Sequence, residues 1–117
     1  MQKITSVLIF FMSAMAYADS PVIVEAKAQL KSNQLYDIAV TLRHSDTGWD
    51  HYANEWVVEV DGEIIGTRTL HHPHVDEQPF TRSLRDVRIP ADATSVKIYA
   101  KCNQEHQSEA FILVGRE

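Results

Sequence analysis

At 117 residues, with 16 acidic against 11 basic side chains and a formal charge of −5, the chain is long enough to bury one modest core and too short for two domains of ordinary size. The acidic balance and the absence of any basic patch exclude nucleic acid and an anionic membrane surface as expected partners. A single cysteine, Cys102, excludes an internal disulfide, so the core itself must hold the fold together.

Lys3 precedes an apolar run from Ile4 to Ala16, and Ala16-Tyr17-Ala18 follows. This is the layout of a secretory signal peptide cleaved near Ala18, before Asp19. The run falls short of the roughly 20 apolar residues that a membrane-spanning helix needs, so no membrane insertion is expected. Residues 1–18 are therefore read as a signal peptide, and 19–117 as one exported domain, periplasmic or secreted. Losing Lys3 leaves 10 basic against 16 acidic residues, a mature charge of −6. Nothing in the pattern sets the oligomeric state.

The mature chain alternates apolar and polar residues with the period of half-buried strands. Val22, Val24, Ala26, Ala28 and Leu30 share one face of the first segment, and Ile38, Val40 and Leu42 share one face of the second, from about Leu35 to His44. Ser45 to Ala53 has neither period, carries a glycine after turn-forming residues, and reads as a long loop displaying Trp49 and Tyr52. Trp56, Val58 and Val60 point inward on the third strand. Asp61-Gly62 is a strong two-residue hairpin signal, so a fourth strand returns from Ile64 to Leu70. The parity of Phe80 and Leu84 against Val87 and Ile89 predicts a fifth strand bulged near Arg85-Asp86. Val96, Ile98, Ala100 and Cys102 line the sixth strand, and Ala110 to Val114 forms the seventh.

Seven short strands and no helical period predict an all-β fold, an antiparallel immunoglobulin-like (fibronectin III-like) β-sandwich, with a Greek-key barrel as the alternative. In that order of strands, alternate connections fall at opposite ends. One end then collects every histidine: His44 and His51 around the second-to-third connection, His71, His72 and His74 before the fifth strand, and His106 before the seventh. The stretch His71-His72-Pro73-His74-Val75-Asp76-Glu77-Gln78-Pro79 must be a loop, because its prolines lack a backbone donor and restrain the residues before them.

Imidazoles in this density point to copper or zinc, with a carboxylate or the Cys102 thiolate completing the ligand set. The expected metal ligands are His44, His51, His71, His72, His74, Cys102 and His106, although Pro73 keeps the three clustered histidines from all converging. The Cys102-x-x-x-His106 spacing resembles the copper-ligand loop of cupredoxins, which also draw a histidine from far upstream. That resemblance implies copper. No methionine follows His106, so a storage, delivery or resistance role fits better than electron transfer.

A second reading is a non-enzymatic recognition module for a sugar, a peptide or another envelope or extracellular partner, with Asp46, Trp49, Asp50, Tyr52, Asp76, Glu77 and Arg82 as contacts. Nothing marks an enzyme: Gly-x-Ser-x-Gly is absent, no nucleophile has a base beside it, and Asp46-x-x-x-Asp50 lacks the oxygen ligands of a calcium loop. Six histidines would also make this end of the molecule cationic as pH falls between about 8 and 5. As a whole, His-Ser-Asp-Thr-Gly-Trp-Asp-His-Tyr-Ala and the later His-Pro-His-Val-Asp-Glu-Gln-Pro-Phe-Thr-Arg-Ser-Leu, within residues 44–84, resemble a family of small exported bacterial proteins of uncharacterised function. The resemblance implies that Arg82 belongs with the loop residues, pinning Asp76 or Glu77 through a bidentate pair.

Overall fold

The computed structural model describes residues 20–114 and the backbone of 7–10. The expected cleavage point near Ala18 and most of the expected signal peptide lie outside the described residues. Eight strands run in chain order: β1 (Val7–Phe10), β2 (Val22–Leu30), β3 (Tyr36–Arg43), β4 (Ala53–Val60), β5 (Glu63–Thr69), β6 (Phe80–Val87), β7 (Ser95–Cys102) and β8 (Gln107–Val114). One sheet has the order β2-β3-β6 and the other β1-β8-β7-β4-β5, with every pairing antiparallel. The short β1 lies along the edge of β8, Val7 opposite Val114 and Phe10 opposite Phe111. Without it, β2 to β8 form a three-stranded sheet facing a four-stranded one, the immunoglobulin-like arrangement. The sheets remain open and do not close into a barrel.

The core follows from the alternation. Trp56 on β4, Ile38, Val40 and Leu42 on β3, Val58 on β4, Val96 and Ile98 on β7, and Ile112 on β8 are all fully buried between the sheets. Each such aliphatic side chain contributes about 1.5–3 kcal/mol by leaving water, which makes an internal disulfide dispensable. Cys102 is a free, buried thiol.

β2 departs from simple alternation. Its register with β3 shifts between Ile23 and Glu25, so Val22 and Val24 are exposed whereas Ala26 and Ala28 are buried. A bulge flips the faces beyond it, which period-2 reading cannot see. On β6 the irregularity lies where parity places it: Tyr36 pairs with Val87 and Ile38 with Leu84, so Arg85 and Asp86 oppose Asp37 alone. Asp86 takes a positive φ of 58°, its N–H donates to Asp37 Oδ1 at 3.2 Å, and Lys31 bridges both carboxylates. The Asp61-Gly62 turn has positive φ at both residues, 51° and 85°, the type I′ geometry that suits a two-residue hairpin.

Gly66 on β5 sits where the sheets meet at their edge. A Cβ there would lie 2.7 Å from Leu84 Cδ2 on β6, closer than carbon atoms pack. Cδ2 is the tip of a half-buried side chain that can turn aside, so Gly66→Ala is expected to cost no more than about 1 kcal/mol, the low end for overpacking, read as a slightly lower urea midpoint at unchanged slope.

Candidate metal centre

Three loops meet at one end of the sandwich, those joining β3 to β4, β5 to β6 and β7 to β8. Asp46 is the knot. Its side chain is fully buried, and its oxygens accept three hydrogen bonds from three places in the chain. Oδ1 accepts from His44 Nδ1 at 2.6 Å and from the Ala53 N–H at 3.0 Å; Oδ2 accepts from the His74 N–H at 2.7 Å. An acceptor-only carboxylate of this kind puts the His44 proton on Nδ1 and assigns any ligation by this ring to Nε2. Gln78 fastens the same loops from the other side, accepting from the His44 N–H at 2.9 Å and donating to the His74 carbonyl at 2.8 Å.

Gly48, with φ of 147°, allows the chain to turn between Thr47 and His51, where the Thr47 N–H donates to the His51 carbonyl at 3.0 Å and the His51 N–H to Gly48 at 3.2 Å. This turn throws Trp49 outward, 66% exposed, and brings His51 edge-on to His44, ring centroids 4.7 Å apart. Cys102 ends β7 beside them, because its even spacing from Val96 keeps it on the inward face. The result is a group of two imidazoles and one thiol, His44, His51 and Cys102, with ligand atoms all within 4.8 Å of one another. His51 Nε2 is buried without a hydrogen-bond partner, an unusual state for a polar atom unless something else engages it.

The remaining predicted ligands separate from this group. Among the described residues, His71 and His72 lie exposed and His106 falls outside the converging set. Cys102 and His106 meet through the backbone instead: the Cys102 N–H donates to the His106 carbonyl at 2.9 Å, and the Glu105 N–H donates back to Cys102 at 3.0 Å, with Glu105 at φ 68°. His106 stays outside the converging group, whose two histidines, His44 and His51, both come from the β3–β4 loop.

His74 is buried but serves another purpose. Its ring stacks on Phe80 at 3.9 Å and 9°, and Arg82 Nη2 donates to its Nε2 at 3.0 Å. Burial, and then the neighbouring Arg82 and His72, hold its pKa below the usual histidine value, so the ring is neutral at neutral pH. Arg82 does not form the expected bidentate pair. It reaches Glu77 through one contact of 3.8 Å and donates to the Thr81 carbonyl at 2.8 Å, because His74 claims the other side of the guanidinium. Asp76 is exposed. The stabilising effect of neutral His74 is complete above its unfolded pKa of 6.5 and declines as pH falls below it, since the unfolded chain takes up the proton first. Urea midpoints of the wild type and His74→Gln, measured from pH 8 to pH 5, are expected to converge below about pH 6.5.

The aromatic pair Trp49 and Tyr52 stands on the rim, ring centroids 5.5 Å apart in edge contact. The β7–β8 loop holds it in place: Asn103 Nδ2 donates to the Trp49 carbonyl and the Tyr52 N–H to Asn103 Oδ1, each at 3.0 Å, while Gln104 Nε2 donates to the Asp50 carbonyl, also at 3.0 Å. Gln78, Phe80 and Asn103 are the site residues that composition does not flag, since amides and a core phenylalanine carry no chemical signature in sequence.

No helix among the described residues is long and apolar enough to cross a membrane. No family model matches the chain, and no solved structure matches it. A Halomicrobium mukohataei protein named "Putative lipoprotein" is similar, 36% identical over 77 residues. The match takes in 65% of this chain and 37% of the relative, so the chain spans little more than a third of the length of the protein it matches.

Proposed function

We propose that this chain is an exported metal-binding protein that takes copper or zinc at His44, His51 and Cys102, for storage, delivery or resistance. The observation that carries the reading is the convergence of these three donors, one of which, His51, has a buried Nε2 without a hydrogen-bond partner. Asp46 then acts as the outer carboxylate that orients a metal-bound histidine, an arrangement common around such sites. The signal-peptide pattern and the name of the similar protein both favour an envelope location. Titration with zinc and copper salts, without an affinity tag, is expected to give one site per chain. Binding no tighter than millimolar for either metal would sink the reading.

A second reading has its own observation, the exposed Trp49 braced against Tyr52 by Asn103. Rigid, amphipathic rings of this kind anchor sugars and peptides with little loss of entropy. In that case Trp49→Ala with Tyr52→Ala abolishes capture of the envelope partner and leaves metal uptake intact; unchanged capture counts against it.

A further inference from the structure

We propose that the group of His44, His51 and Cys102 is a thiolate-ligated copper(II) site; the inference rests on the metal-binding reading and narrows it. Three features bear on the metal: the first favours copper over zinc, and the other two favour copper(II) over copper(I).

The first is the donor set. Zinc held structurally takes four protein donors in a tetrahedron, and among the described residues only three converge here. Asp46 stands outside that group and turns its oxygens to His44, Ala53 and His74 instead. Two imidazoles with one thiolate form the trigonal donor set characteristic of copper, and copper(II) stands above zinc in intrinsic affinity for nitrogen and sulfur donors.

The second is charge. The interior around the site holds the Asp46 carboxylate, and a ligating Cys102 adds a thiolate, releasing one proton. Arg82, which donates to the far side of the His74 ring, is held away from Asp46 by that ring. A divalent ion balances the carboxylate and the thiolate exactly once each, whereas a monovalent ion leaves one buried negative charge uncompensated, which is costly.

The third is the isolation of the sulfur. Free thiolates reduce copper(II) when two of them join, two thiolates and two copper(II) ions giving one disulfide and two copper(I) ions. Cys102 is the only cysteine in the chain and is buried, 3% exposed. Two such sulfurs cannot meet without unfolding, so the oxidised metal survives beside the thiolate.

The test is addition of copper(II) sulfate to the thiol-reduced, desalted protein, read by visible absorption and electron paramagnetic resonance. The expected result is an intense thiolate-to-copper absorption band that saturates at one equivalent. It should persist against about a tenfold excess of zinc, disappear in Cys102→Ser and change in energy or intensity in His51→Gln. Copper(II) binding without that band, or rapid loss of the paramagnetic signal, overturns the proposal. Zinc binding without copper binding overturns it while leaving metal binding intact; binding of neither removes both. Because the band is read first in the wild type, the test holds even if one variant fails to fold.

Discussion

Asp46→Ala is expected to lower the stability of the folded chain by about 3–5 kcal/mol, the cost of leaving buried donors without their shared acceptor. The lost acceptor serves His44 Nδ1, the Ala53 N–H and the His74 N–H at once, so two loops and the first residue of β4 loosen together. Against a typical domain stability of about 5–15 kcal/mol, that is a large fraction. Asp46→Asn keeps the shape but turns one acceptor into a donor that faces another donor, and is expected to fall between the two. Urea denaturation at pH 7 checks both. A loss below about 1 kcal/mol for the alanine variant, the cost of an ordinary surface change, would mean that the loops are held by something else.

The second large effect concerns metal affinity. Cys102→Ser is expected to weaken binding about a hundredfold or more, since losing even an outer partner of a ligand costs about 10–100-fold. Its effect on folding should be small, about 1 kcal/mol, because serine is close in size and adds one buried hydroxyl. His51→Gln should weaken binding comparably. His71→Ala, His72→Ala and His106→Ala should leave it unchanged, as these residues lie outside the converging group. Titration of the set separates the centre from the exposed histidines, and the opposite ranking would move the site to the His71–His74 loop.

The strands were legible because each buries one face, and an alternating sequence leaves few other solutions. Trp56, Ile98 and Cys102 point inward for that reason alone. The Arg85-Asp86 bulge was also legible, since parity changes across it. The bulge between Ile23 and Glu25 was not, because Val22, Val24 and Ala26 continue an apolar alternation straight through the shift.

At the loop end, topology brings the histidine-bearing loops together, but it does not say which rings turn inward. That depends on Gly48 folding the chain back so that Trp49 leaves and His51 enters, and on Glu105 tightening the turn after Cys102. Local spacing favours His106 beside Cys102, whereas backbone hydrogen bonds take up that turn and the imidazoles near the Cys102 sulfur are those of His44 and His51, far upstream. The fate of His74 was equally hidden: a histidine two residues before Asp76-Glu77 becomes a neutral ring stacked on Phe80 only because β6 supplies Phe80 and Arg82 beside it.

The central claim is that the three donors bind one metal ion together. It is tested most directly by crystals of the untagged protein grown with copper or zinc, with diffraction recorded on both sides of the metal's absorption edge. A single anomalous peak within bonding distance of Cys102 Sγ and a ring nitrogen of both His44 and His51 is predicted. A peak at His71 and His72 with none beside Cys102, or no peak at full metal loading, would contradict it.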